Sequence, residues 1–205
     1  GISRKKLQDL IDTTQNGGAL LVNSLQRAAD LIASFKQVAV DQASLNRRRF
    51  GLHTTANEIV MILGPTIRKT RHIIENHIPT DITLESYPGP LGQILTNLVN
   101  NALVHAFDGV DRGVIRFDGY LLGDGLVQLT VTDNGVGIPE ANLSRIFDPF
   151  FTTKLGQGGS GLGLNIVYNL AQSALDGKIE VQSTLGQGTR FILTLPMVAG
   201  VSPTV

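Results

Sequence analysis

Cysteine and tryptophan are both absent from the 205 residues, and aromatic side chains make up only 5% of them. Without cysteine there is no disulfide framework, no thiolate metal site and no cysteine nucleophile, a composition suited to a reducing compartment such as the cytoplasm. Neither sign of charge is in excess, since 17 Lys and Arg balance 17 Asp and Glu. The densest basic run, Arg47 to Arg49, is three residues long, so no sequence-wide attraction to nucleic acid or anionic lipid is expected. No apolar run approaches the roughly 18 residues of a membrane span, and the opening residues are polar rather than signal-like. Gly1 in place of methionine suggests that the chain begins inside a longer protein. Membrane attachment is therefore expected only through segments upstream. What remains is 42% hydrophobic, enough to bury a core without metals or crosslinks.

Two kinds of pattern divide the chain. From Leu7 a seam in steps of four and three runs through Ile11, Thr14, Gly18, Leu21, Leu25, Ala28, Ile32 and Phe35, the spacing of a helix that packs on partner helices. Gly17-Gly18 weakens it by about 1 kcal/mol per glycine, so a break or kink is expected there. After Arg47 come short apolar segments separated by turns. Strands are expected near Phe50 to Leu52, His72 to His77, Ile82 to Ser86, Val114 to Leu121, Leu126 to Thr132, Lys178 to Ser183 and Arg190 to Leu195. Helices fit Asn57 to Arg71, Leu91 to Phe107 (opened by Pro90) and Leu162 to Leu175. The fold class is thus α+β: an α/β sandwich of a mixed, mostly antiparallel sheet covered by about three helices, preceded by a long N-terminal helix. The expected divisions are a helical segment at 1–46, a domain at 47–197 and a tail at 198–205.

Four features of the second domain carry chemistry. In the helix after Pro90, Gln93, Asn97, Asn101 and His105 recur every four positions, and such a stripe winds obliquely enough to line one ligand along its length. Asparagine is a mediocre helix former, whereas a solvated face is normally built from Glu, Lys and Arg. Asp133-Asn134-Gly135-Val136-Gly137 follows a strand, so a carboxylate leaves a strand end and the backbone then passes through two glycines. Taken alone, this is also a common turn. Phe147-Asp148-Pro149-Phe150-Phe151-Thr152-Thr153-Lys154 leads into Gly156-Gln157-Gly158-Gly159-Ser160-Gly161-Leu162-Gly163 and an apolar helix, whose N-terminus favours an anion such as phosphate. It is neither a dinucleotide fingerprint nor a P-loop, because no strand precedes it and no glycine loop ends in Gly-Lys-Ser or Gly-Lys-Thr. Gly186-Gln187-Gly188-Thr189 suits a tight hairpin as well as a ligand.

In this order and spacing, these segments resemble the asparagine, glycine-rich and phenylalanine boxes of sensor histidine kinases, over roughly residues 47 to 196. The resemblance implies the Bergerat fold of the wider superfamily, with ATP and Mg²⁺ as cofactors. It assigns catalysis to Asn97, Asn101 and Lys154. Asn101 would bind Mg²⁺ through its amide oxygen, Asn97 would lie beside the phosphates, and Asp133 would accept the adenine amine. Gly135 and Gly137 would let the base approach the backbone. Residues from about Ile138 to Gly161 would form a lid, with Lys154 and Thr153 facing the phosphates and Phe147 and Phe150 as apolar anchors. Gly159, Gly161 and Gly163 would supply the hinge and helix N-terminus, and Ser160, Leu162 and Thr189 would also bind the nucleotide. Partners implied are a response regulator receiver domain and a second copy joined through the N-terminal helices.

Two departures from the family pattern stand out. Where many members carry a basic residue three positions after the metal-binding asparagine, this chain has Val104, and His105 is expected to meet phosphate instead. None of His53, His72, His77 or His105 has the His-Glu or His-Asp pair and following proline of a phosphoacceptor, so the acceptor is expected upstream. Related ATPases, among them type II topoisomerases, mismatch-repair MutL and heat-shock chaperones, place a glutamate base four residues before the metal-binding asparagine. That position is Asn97 here, which favours phosphoryl transfer over hydrolysis. A nucleotide sensor or ATPase without kinase activity is the alternative.

Overall fold

Apolar and polar residues alternate along the hairpin from Val114 to Asp133, and this period of two buries Ile115, Phe117, Val127, Leu129 and Val131 on one face. In the computed structural model, which describes residues 5–6, 9, 11–18, 21–22, 24–25, 46–154 and 159–200, the elements follow in the order β1 (Arg48–Gly51), α1 (Leu52–Ile67), β2 (Ile73–Asn76), β3 (Thr83–Ser86), α2 (Pro88–Asn101), a π turn (Ala102–Ala106), β4 (Val114–Gly123), β5 (Leu126–Asp133), α3 (Glu140–Leu143), α4 (Gly163–Ser173), β6 (Lys178–Ser183) and β7 (Thr189–Pro196). Five strands form one mixed sheet in the order β2-β4-β5-β7-β6, parallel only between β2 and β4. The α+β sandwich expected from the sequence is what the chain forms, with β1 and β3 paired apart as a two-stranded antiparallel sheet.

Burial explains where the helices lie. In α1 the buried residues Leu52, Thr55, Ala56, Ile59 and Leu63 repeat at helical spacing. In α2 the set Leu91, Ile94, Leu95, Leu98 and Val99 is fully enclosed, because α2 packs against both α1 and α4. Helix α1 begins at Leu52 rather than near Asn57, so Leu52 opens a helix instead of ending a strand. Its N-cap is Gly51, which offers no side-chain cap. Helix α2 begins at Pro88, earlier than Leu91, as proline's missing N–H is harmless in a first turn. The four-residue α3 had no expectation attached to it.

The chain divides into two compact units, Gly1–Val40 and Asp41–Val205. In the first, the described residues are helical, and the helix runs from 11 to 18 without the break expected at Gly17-Gly18. Ile11, Leu21 and Leu25 of the seam are exposed; Leu7, Ala28, Ile32 and Phe35 lie outside the described residues. At the other end, Ala199 is buried and its N–H donates to Glu85 O, while Met197 O accepts from Glu85 N. Residues 197 to 199 thus lie along β3, and Gly200 N–H donates to Asp176 Oδ2 at 2.7 Å.

Candidate functional site

Strand pairing assembles one end of the site. Asp133 closes β5 opposite Thr189, the first residue of β7, so residues 56 apart in sequence become neighbours. Asp133 is 7% exposed. Its Oδ1 accepts the N–H groups of Gly135 at 2.9 Å and Thr189 at 3.3 Å, leaving Oδ2 with no protein donor among the described residues. Burial pushes this carboxyl above the ordinary carboxylate range, against the two backbone hydrogen bonds that pull it down. Asn134 is structural: its Oδ1 accepts Val114 N at 2.7 Å and ties β5 to the start of β4.

The glycines near Asp133 are set by packing of backbone on backbone. A Cβ on Gly188 would lie 2.0 Å from Asp133 O, and one on Gly137 would lie 2.2 Å from Thr184 O; their φ angles of +86° and +75° also favour glycine. Gly135 does not line the cleft. A Cβ there would strike Ala106 O at 2.3 Å, so what it admits is the end of the π turn rather than a ligand. Ile138 lines the cleft, held by its N–H on Ser183 Oγ at 2.8 Å.

Helix α2 and the π turn make the opposite wall. Asn97, Asn101 and His105 all line a cleft of about 570 Å³ that also contains Asp133. Gln93, first in the stripe, is outside it; its carbonyl accepts Asn97 Nδ2 at 3.1 Å. Asn101 Nδ2 is buried without a hydrogen-bond partner, and a buried polar group left unmet in this way is rare enough to point to a ligand. The amide stands against the start of α4, where a Cβ on Gly163 would lie 3.6 Å from both its Oδ1 and Nδ2. A π turn replaces the last α-helical turn of the Leu91 to Phe107 segment and carries His105. Burial first, and the Lys154 ammonium second, lower the His105 pKa from its ordinary 6.5. Its imidazole is therefore neutral at neutral pH, and as pH falls below 6.5 the unfolded chain takes up that proton first, so His105 subtracts stability on the acid side.

The third wall is the segment from Ile146 to Gly163. Thr153, Lys154, Gly159, Ser160, Gly161 and Gly163 line the cleft, whereas Phe147, Phe150 and Leu162 do not. Phe147 packs on Tyr168, ring centroids 5.5 Å apart. Leu162 is buried at the N-cap of α4. Phe150 is 47% exposed with φ +66°, its N–H on Gly161 O at 2.8 Å. The aromatic that reaches the cleft is its neighbour Phe151, with the Arg145 guanidinium 4.9 Å from the ring. Lys154 Nζ donates to Val104 O at 2.9 Å and pairs with Asp108 at 3.2 Å. Residues 155 to 158 lie outside the described residues. Leu185, Phe191 and Asn142 also line the cleft. Of these, only Phe191 had a signal, since it follows Thr189 by two on one strand face.

Comparisons with known proteins agree with this geometry. The model of the histidine kinase-, DNA gyrase B- and HSP90-like ATPases matches residues 87–199. The chain is 32% identical over 197 residues to the autoinducer 2 sensor kinase/phosphatase LuxQ of Vibrio vulnificus, covering 93% of this chain and 22% of that protein. It is 31% identical over 201 residues to the sensor histidine kinase RcsC of Escherichia coli, covering 94% and 20%. The chain therefore spans about a fifth of the length of these relatives. Among solved structures, the nucleotide-free catalytic domain of histidine kinase ThkA superposes with a TM-score of 0.65 at 30% identity, over 75% of this chain and 97% of that one. The chain belongs to the histidine kinase-, DNA gyrase B- and HSP90-like ATPase family, and within it to the ATP-binding catalytic domains of sensor histidine kinases.

Proposed function

We propose that the cleft binds ATP with Mg²⁺ and passes the γ-phosphoryl group to a histidine presented by another segment, for relay to an aspartate of a response regulator. The observation that carries this reading is the pairing, in one cleft, of two unmet polar groups: Asp133 Oδ2 and the buried amide of Asn101. Asp133 suits the exocyclic amine of adenine and Asn101 the polyphosphate end. Among the described residues no group of three His, Cys, Asp or Glu is placed to hold a metal. One amide does fit an ion that takes most of its ligands from phosphate and water, and an amide can turn either end toward its partner. Asn101 would hold Mg²⁺, which when bound neutralises phosphate charge.

The chain's own residues would then position rather than react, as phosphoryl transfer requires. The bond from the γ-phosphorus to the β-bridging oxygen breaks and one to an imidazole nitrogen forms, with the departing proton left to solvent. Asn97, standing where a hydrolytic base would be, cannot take a proton from water. Lys154 supplies from across the cleft the cation that Val104 does not, its Nζ lying on the Val104 carbonyl. Neutral His105 would donate an N–H to phosphate. His105→Ala is expected to weaken ATP binding about tenfold or more, the loss of one hydrogen bond to a charged group. Unchanged affinity in calorimetry, with unchanged turnover, would remove His105 from the site.

His53, His72 and His77 are poor phosphoacceptors. Both ring nitrogens of His53 are engaged, on Ile78 O at 2.7 Å and Asn57 Nδ2 at 2.8 Å. His72 Nδ1 accepts Gly113 N and its ring lies on Phe107. His77 stands beside the carboxylates of Glu75 and Asp118, which repel phosphate. The exposed Ile11, Leu21 and Leu25 support homodimerisation through the N-terminal helices in the full-length protein. Among the described residues no helix is long and apolar enough to cross a membrane; on the likeness to sensor histidine kinases we place the domain in the cytoplasm. The test mixes this chain, labelled ATP and Mg²⁺ with a separately supplied helical hairpin that carries a phosphoacceptor histidine. Acid-labile label on the hairpin is the expected result. Binding without transfer would leave a nucleotide sensor, and release of inorganic phosphate alone would leave an ATPase.

A further inference from the structure

Lys154 is the cation proposed above to meet phosphate, yet its ammonium is already spoken for. Two acceptors hold it, Val104 O at 2.9 Å and Asp108 Oδ2 at 3.2 Å. Both come from the stretch where the π turn ends. The helix stops at Phe107, with φ −104° and ψ 25°, so the Val104 carbonyl meets the lysine where a further helical turn would have brought a backbone N–H. Asp108 follows one residue later and is 75% exposed, against 26% for Lys154. The carboxylate thus sits at the rim of the cleft while the lysine stem runs along its wall.

A phosphate group and the Asp108 carboxylate compete for the same ammonium. We propose that Asp108 is a positioning residue that holds Lys154 on the end of the π turn and off the phosphates until nucleotide displaces it. This rests on the reading that Lys154 meets phosphate. The carboxylate attracts Lys154 only while no stronger anion is present. The exchange therefore tunes affinity for the phosphate tail and leaves affinity for the base alone. Exposure sets the size of the effect, because an ion pair open to solvent contributes about 0.2–1 kcal/mol, which corresponds to roughly 1.4-fold to fivefold in an equilibrium constant.

The experiment measures displacement of a fluorescent ATP analogue by ATP with Mg²⁺ and by adenosine, on the whole chain. Asp108→Asn is expected to bind ATP roughly 1.4-fold to fivefold more tightly, with adenosine unchanged and Asp108→Glu restoring the wild-type value. Lys154→Met is expected to bind ATP more weakly, and adding Asp108→Asn to it is expected to change nothing further. If Lys154→Met weakens ATP binding but Asp108→Asn leaves it unchanged, or tightens adenosine equally, the holding role of Asp108 is overturned and the place of Lys154 stands. If Lys154→Met leaves ATP affinity untouched, the place of Lys154 at the phosphates fails, and the role of Asp108 with it.

Discussion

Asp133→Asn is expected to lower ATP affinity by at least about 100-fold while leaving the domain as stable as before, or more so. The asparagine oxygen can keep both backbone N–H groups that now converge on Oδ1, from Gly135 and Thr189. Its NH₂ then takes the place of Oδ2, so a donor confronts the donor of an adenine amine. The carboxyl is buried, and its folded pKa is raised above the ordinary 3.8, so the folded state binds this proton better than the unfolded chain does. Stability due to Asp133 is accordingly present below 3.8 and is lost as pH rises through the folded value. Asparagine removes that dependence. Calorimetric titration with ATP, together with melting curves between pH 4 and 7, checks both parts; wild-type affinity in the variant would refute the adenine assignment.

Gly188→Ala should be among the most destabilising single-atom additions in the chain. A Cβ there would lie 2.0 Å from Asp133 O on a backbone with φ +86°. Left-handed geometry costs a non-glycine residue about 1–2 kcal/mol, and forced overlap in a packed interior about 1–3 more. Together these amount to roughly 2–5 kcal/mol, and a melting temperature lower by about 10 °C for a domain of this size. ATP binding should fall too, because the strand ends that bring Thr189 N to Asp133 are pushed apart. Gly186 supplies the control: its φ is +78°, but a Cβ on it would meet nothing within 4 Å. Gly186→Ala should therefore cost only the conformational part, about 1–2 kcal/mol. Equal melting shifts in the two variants would show that the contact with Asp133 is not what requires glycine at 188.

Much of this was legible in the sequence, for reasons that differ from element to element. The strands from Val114 to Asp133 and from Lys178 to Pro196 announce themselves by alternation, and alternation survives because one face is buried. Asn97, Asn101 and His105 could be placed on one wall because a step of four keeps residues near one helix face. Periodicity is blind to a switch from α to π, so the π turn after Asn101 was not visible. The start of α1 was missed because Gly51 carries no capping side chain. Leu185 reaches the cleft from a turn and Asn142 from the four-residue helix α3, for neither of which a sequence pattern exists. Phe150 and Phe151 show the finest distinction. Both fit an apolar anchor in sequence, and a single left-handed residue at Phe150 sends it outward and its neighbour inward.

Strand order has a consequence for how the domain comes into being. β7 emerges last among the strands during synthesis, yet it lies between β5 and β6 inside the sheet, and its first residue gives Asp133 one of its two N–H donors. A growing chain that stops short of Thr189 carries Asp133, Asn101 and Lys154 but lacks the strand that frames the carboxylate. On the proposed role of Asp133, adenine recognition would wait for the final closing of the sheet, and a chain cut before Thr189 is expected to capture no nucleotide.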